Sequence, residues 1–322
     1  MEKIREIKLE NLKPGSFVRE KVAEIAREVG DGIAVNALSG GVDSAVVTML
    51  GHLALGKRLK TYFIENGIMR EGEAKRVASI FRSLGVKVQI IDARKSFFSA
   101  LAGVTDPEQK REAITQTFYK TVFGPLVKSS GARFLLQGTN YTDVEETVAG
   151  VKRQHNILAQ LGIDTVKSFG YVVLEPIIQL RKTGVRAVGR YLKLPREIWA
   201  RPPFPGPALS ARVIGEVTPE RVKVVRAATA IVEEELARSG AFQYLAILHK
   251  DMVTGVRDGK RQFGMQIEVR CWESTDAVTA EPTALPFKKL TTIARRVTSE
   301  VDGVVSVTYN VTGKPPSTIE AV

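Results

Sequence analysis

The stretch from Gly32 to Leu55 constrains this chain more than any other. Ile33 to Leu38 is a short apolar run that reads as a buried strand, and Ala45 to Leu55 has the apolar content of a buried helix. Between them lies Ser39-Gly40-Gly41-Val42-Asp43-Ser44. A strand, a glycine turn and a helix start make an anion site. Paired glycines let backbone N–H groups converge, and the first N–H groups of a helix have no partner inside it. Ser39 and Ser44 add hydroxyl donors. The Asp43 carboxylate would repel a bare phosphate but would hold Mg²⁺ bridging to one. The plainer alternative is a βα turn capped by Ser or Asp; the strand-to-helix context favours phosphate plus metal.

The rest of the chain alternates in the same way. Phe17 to Val29 carries apolar residues at helical spacing, after an extension that ends at Pro14-Gly15. Leu59 to Ile64 reads as a second strand, Glu71 to Leu84 as a helix closed by Gly85, and Val86 to Ile91 as a third strand. Asp106-Pro107-Glu108 opens a helix that runs towards Val127, with a bend at Gly124-Pro125. Phe134 to Leu136 and Val172 to Leu174 are further strands, the latter followed by a helix over Arg186 to Leu192. Strands alternating with helices mean an α/β fold with a doubly wound parallel sheet. Ligands then bind at the carboxyl ends of the strands, where 39–44, 65–70, 137–146 and 175–182 fall. Residues 140–170 show little periodicity and read as a lid or functional loop.

Arg201-Pro202-Pro203-Phe204-Pro205-Gly206-Pro207 can be neither helix nor central strand, and the pattern changes after it. Thr218 caps a long helix reaching about Ser239. Strand-like runs follow at Tyr244–Leu248, Met252–Val256 and Phe263–Trp272, with a hairpin turn at Asp258-Gly259. A helix over Lys288–Val301 and a strand over Val304–Tyr309 complete a separate α+β unit. The expected division is an extension over 1–15, a nucleotide domain over 16–208 and an α+β domain over 209–322.

Composition narrows the function. A net charge of +12 favours polyanionic ligands such as nucleotides, but the basic residues are scattered without a block, so nucleic acid is not the expected partner. No apolar run is long enough to cross a membrane, and the charged N-terminus has no apolar signal core, so the cytoplasm is the expected location. The single cysteine, Cys271, excludes an internal disulfide and a cysteine-cluster metal site. It also lies in a strand with no His nearby in sequence, unlike the activated nucleophile of a glutaminase.

SGGVDS resembles the pyrophosphate loop of the ATP pyrophosphatases, which cleave ATP between the α- and β-phosphates; the GK[ST] ending of a Walker A loop is absent. Further motifs narrow the resemblance: ENGIMR (65–70), SALAGVTDPEQKR (99–111), QGTNYTDVEET (137–147), KRQHN (152–156), LEP (174–176), RPPFPGPAL (201–209), VIGEVTPER (213–221), RRVTSEV (295–301) and KPPSTIE (314–320). Over roughly 16–320 the chain is similar to the ATP-pyrophosphatase and dimerisation part of the GMP synthetase family.

That resemblance implies ATP and Mg²⁺ as cofactors and XMP or a related nucleotide as acceptor. It implies adenylylation of the XMP O2, displacement of AMP by ammonia, and a homodimer through the C-terminal domain. With no glutaminase domain visible, ammonia is free or comes from a separate glutaminase subunit. Carried onto this sequence, Ser39, Gly40, Gly41, Val42, Asp43 and Ser44 bind the nucleotide phosphates, with Ile64, Asn66, Gly67, Gln137, Gly138 and Thr139 around the nucleotide. Asp43 and Asp143 hold the metal, and Asp43, Lys182 and His155 are catalytic. A loop or cap role is the alternative for Asp143, and a surface position the alternative for Lys182 and His155. Arg201, Pro205, Gly206, Lys314, Thr318 and Glu320 bind the acceptor. His52 and His249 read as structural.

Departures from the family pattern cluster at the acceptor: Arg153-Gln154 before His155, Thr183-Gly184 after Lys182, Pro202, Ala208, Glu71 and the ending Ala321-Val322. Replacing polar site groups by Pro, Gly and Ala removes specific donors and acceptors. Two alternatives therefore stay open: a paralogue that adenylates another nucleotide or carbonyl, and a catalytically weak nucleotide-binding regulatory subunit.

Overall fold

The computed structural model describes residues 4–148, 171–275 and 278–321. The chain divides into two compact units. The first comprises Met1–Glu65, Glu73–Asp92 and Phe118–Arg201; the second comprises Asn66–Gly72, Ala93–Thr117 and Pro202–Val322.

The first unit is built on a five-stranded parallel sheet of β1 (Ala34–Ala37), β2 (Leu59–Glu65), β3 (Val88–Asp92), β4 (Phe134–Leu136) and β5 (Val172–Leu174). Their order is β3-β2-β1-β4-β5, a doubly wound arrangement whose direction of winding reverses between β1 and β4. Ala34 and Val35 on β1 pair with Leu59 and Lys60 on one side and with Phe134 and Leu135 on the other. β1 carries a buried polar residue, Asn36, which is satisfied on both sides. Its amide donates to Thr48 Oγ1, and its Oδ1 accepts from Thr61 Oγ1 at 2.8 Å. That network ties the central strand to β2 and to the helix Val42–Leu55, whose apolar face joins Phe17, Ile25, Phe63, Phe81, Leu136 and Val185 in the core.

Several boundaries differ from those the sequence suggests, each for a physical reason. Pro14 is not the end of an extension but the first residue of the helix Pro14–Val29, where its missing N–H costs nothing. β3 begins at Val88 and lies at the edge of the sheet, so Ile90 is 40% exposed. The expected long helix from Asp106 stops at Gln116, and a π-helical turn over Thr117–Phe123 leads into the helix Gly124–Ser130. A Cβ at Gly124 would sit 2.7 Å from the Tyr119 carbonyl, so the widened turn needs glycine there. The start of the supposed loop 140–170 is the helix Tyr141–Val148. Its remainder from 149 lies outside the described residues.

In the second unit, β6 (Gln243–Arg257) and β7 (Lys260–Glu273) form a long antiparallel hairpin; β8 (Glu281–Pro282) and β9 (Val304–Tyr309) pair with β7, β9 in parallel. Asp258 and Gly259 have φ of +52° and +73°, the two positive values that an Asp-Gly hairpin turn requires. The runs 244–248 and 252–256 are one strand, interrupted by a register shift between Leu248 and Met252. Helices Pro219–Leu236, capped by Thr218, and Phe287–Glu300 supply Val222, Val225, Val232, Ile293 and Val297 to a core with Leu248, Ile267 and Val304.

This unit also buries a lysine. Lys110 is 1% exposed and donates to the Val213 carbonyl at 2.8 Å. Burial, assisted by the nearby Arg221 charge and opposed by Asp106, lowers its pKa from 10.5 to about 8. Between those values the unfolded chain binds more protons at this site than the folded chain, so this site makes stability rise with pH across that window. Urea midpoints at the two ends of the window provide the check. The natural chain should gain more stability on alkalinisation than Lys110→Met; equal gains would contradict the assignment. Among the described residues, no helix is long and apolar enough to cross a membrane.

Candidate active site

The loop after β1 and the loop after β4 face the crevice where the winding reverses. Gly40 adopts φ +83°, a conformation that favours glycine. Ser39 and Ser44 close the loop on itself. The Ser39 N–H donates to Ser44 Oγ at 3.2 Å, the two hydroxyls are 3.0 Å apart, and Ser44 Oγ donates to the Gly41 carbonyl at 3.1 Å. The helix begins at Val42 with Gly41 in the capping position, and no side chain caps its first turn. The positive end of this helix is therefore presented through the glycine loop.

Asp43 sits in that first turn. Its Oδ2 accepts from Lys182 Nζ, while its Oδ1 is buried and has no hydrogen-bond partner among the described residues. A buried carboxylate oxygen without a donor is costly and suits a cation. Lys182 is the first residue of the helix Lys182–Tyr191, which starts a full turn before the position that the sequence pattern suggests.

Gly138 completes the crevice. A Cβ there would lie 3.2 Å from the Ser44 nitrogen and 3.3 Å from the Asp43 carbonyl carbon, so the β4 loop approaches the helix start closely. Its neighbours are pinned: the Gln137 N–H donates to the Leu174 carbonyl at 2.9 Å, and Thr139 Oγ1 donates to Glu175. Burial pushes the Glu175 carboxyl above the usual carboxylate range; the Thr139 hydroxyl opposes this and the Asp143 charge adds to it. Asp143 closes a capping box at the start of Tyr141–Val148. Its Oδ2 accepts from the Asn140 N–H at 3.0 Å, and Asn140 Oδ1 accepts from the N–H groups of Thr142 and Asp143. Asp143 is thus seen in the cap role.

Among the described residues, no group of three His, Cys, Asp or Glu side chains could hold a metal. Mg²⁺ does not demand one, since one or two carboxylates plus substrate phosphates and water commonly complete its shell. The orphaned Asp43 Oδ1 fits such an ion.

The remaining candidates fall in different places. Ile64 is buried within β2. Arg201 pairs with Glu73, which is 2% exposed and to which the sequence reading gives no role. Asn66, Gly67, Pro205, Gly206, Lys314, Thr318 and Glu320 belong to the second unit. There Asn66 Oδ1 accepts from the Ile68 N–H at 3.0 Å. A Cβ at Gly67 would lie 2.6 Å from the Phe98 ring. The Pro205 carbonyl accepts from the Ala208 N–H at 2.9 Å, while Gly206 has open space around it. Lys314 exchanges backbone hydrogen bonds with Ala280, at 2.7 and 3.0 Å. Glu320 accepts from Arg212 Nε and Nη2, both at 3.0 Å, and from Gln243 Nε2 at 2.7 Å. Arg270 Nη1 donates to the Thr318 carbonyl at 2.7 Å, so 318–320 is held by both backbone and side chain. Arg212, 1% exposed and paired with Glu320, is a second buried charge that the sequence pattern does not reveal, being one arginine among many. His249 Nε2 lies 2.8 Å from Glu268 Oε2, a structural pairing. His155 and the basic segment 152–156 lie outside the described residues.

The family model described as NAD synthase matches residues 14–206, and the one described as GMP synthase C terminal domain matches residues 230–321. The chain is 47% identical over 305 residues to a subunit of the glutamine-hydrolyzing GMP synthase of Archaeoglobus fulgidus, covering 94% of this chain and 98% of that one. It is 46% identical over 306 residues to the corresponding Methanocella arvoryzae subunit, covering 95% and 98%. It is 42% identical over 317 residues to the glutamine-hydrolyzing GMP synthase of Aeropyrum pernix, covering 96% of this chain and 61% of that protein. The chain belongs to the GMP synthase family, with a domain of the NAD synthase family over residues 14–206.

Proposed function

We propose that this chain, a ligase of the GMP synthase type, uses ATP to aminate XMP to GMP through an adenylyl intermediate, releasing pyrophosphate and AMP. One observation carries the reading. In a chain so similar to these GMP synthase subunits, Asp43 at the start of the glycine-loop helix pairs with Lys182 through Oδ2, while its buried Oδ1 has no hydrogen-bond partner among the described residues.

The loop N–H groups and the Ser39 and Ser44 hydroxyls receive the β- and γ-phosphates of ATP. The XMP O2 forms a bond to the α-phosphorus as the bond to the pyrophosphate oxygen breaks. Lys182 offsets the charge that develops on the departing pyrophosphate. Mg²⁺, held by Asp43 and Asp143, would supply further charge neutralisation when bound. Ammonia then adds at the purine C2, and AMP leaves carrying the former O2. Lys314, Thr318, Glu320, Pro205, Gly206 and Arg201 hold the acceptor, with Arg201 on its monophosphate, and His155 contacts the reacting nucleotide. Ammonia arrives free or from a separate glutaminase subunit, and the chain forms a homodimer through 209–322.

The test is purified chain with Mg-ATP, XMP and ammonium. AMP, pyrophosphate and GMP should appear in equal amounts. Glutamine in place of ammonium should give no GMP until a separate glutaminase subunit is added. ATP cleavage only with another acceptor would overturn XMP as substrate, and ATP binding without cleavage would overturn the catalytic role.

A further inference from the structure

Glu73 has no role in the chemistry described so far, yet two parts of the first unit converge on it. It opens the helix Glu73–Ser83 with its side chain withdrawn from water. A Cβ built on Gly40 would lie 2.7 Å from its Oε1, so the carboxylate packs directly against the backbone of the glycine loop. Both of its oxygens accept from Arg201, Oε1 from Nη1 and Oε2 from Nη2 at 2.7 Å. The Arg201 carbonyl in turn accepts from Arg186 Nη2 at 3.3 Å. Buried ion pairs seldom contribute more stability than well-packed apolar residues of similar size. A bidentate pair does fix the plane and position of a guanidinium. Engaging the Nη1–Nη2 end of the fork also dictates where its Nε edge points.

We propose that Glu73 is a positioning residue shared by the two substrates: it supports the pyrophosphate loop at Gly40 and orients Arg201 for the phosphate of the acceptor nucleotide. This rests on the reading above that Arg201 contacts that phosphate. Two substitutions separate the two duties. Glu73→Gln keeps the shape against Gly40 but removes the charge that holds Arg201. Glu73→Asp keeps the charge but draws it back from the loop.

Steady-state kinetics with Mg-ATP, XMP and ammonium should show a crossed pattern. Glu73→Gln should raise the KM for XMP about tenfold or more, with the KM for ATP changed less than about threefold. Glu73→Asp should mainly raise the KM for ATP. Equal shifts of both constants in both variants, or no shift in either, would overturn the proposal. If Glu73→Gln does not fold, Arg201→Lys takes its place, because a lysine cannot make the bidentate contact. An unchanged KM for XMP in Arg201→Lys would then overturn the assignment while leaving XMP turnover intact. Absence of any XMP-dependent AMP in the natural chain would instead strike the functional reading itself.

Discussion

Asp43→Asn is expected to lower the rate of pyrophosphate release by about 10²–10³-fold while the chain stays folded. Asn has nearly the shape of Asp, so the helix start and the Gly138 approach are undisturbed. What changes is charge at two points. The oxygen facing Lys182 is no longer anionic, and the buried oxygen without a partner among the described residues can no longer attract a cation. The charge removed is one partner of a pair with the nearly half-exposed Lys182, so the loss of stability should be small, about 1 kcal/mol or less. A coupled pyrophosphate assay and a thermal melt check both statements. Turnover within a factor of about ten of the natural chain would show that the Asp43 charge is not central.

Lys182→Met should produce a loss of the same order, about 10²–10³-fold, with a different signature. The substitution keeps much of the apolar stem but leaves the Asp43 carboxylate facing no cation. Lys182 is nearly half exposed, so the stability penalty should be modest, about 1 kcal/mol or less. Lys182→Arg should not restore activity, since a longer planar fork cannot place a point charge where the ammonium stands. The double variant with Asp43→Asn should be no slower than the worse single variant, because the two side chains act as one unit. Additive losses would mean that they serve separate steps.

Much of this site is legible in the sequence because the residues concerned also dictate local structure. SGGVDS must be a turn between strand and helix, and a doubly wound sheet must present it at strand ends. Asp106, Thr218 and Asp258-Gly259 announce their caps and turn through backbone chemistry alone. What the sequence conceals depends on packing. The helix at Lys182 includes Thr183 and Gly184, poor helix formers. Burial offsets that propensity: Gly184, Val185 and Val188 are buried in this helix, and Gly184 lies beside Leu180 and Leu12. Lys250-Asp251 looks like a break between strands, yet the hairpin absorbs it as an irregularity in one continuous strand. Glu73 and Arg212 are charged residues of ordinary appearance, and only their partners, Arg201 and Glu320, explain their burial.

An oxygen of XMP is expected to attack the α-phosphate of ATP at this loop and to leave with AMP. XMP labelled with ¹⁸O at the 2-oxo position tests it directly. AMP formed with Mg-ATP and ammonium should carry one labelled oxygen, while GMP and pyrophosphate carry none. Unlabelled AMP formed alongside GMP would contradict it.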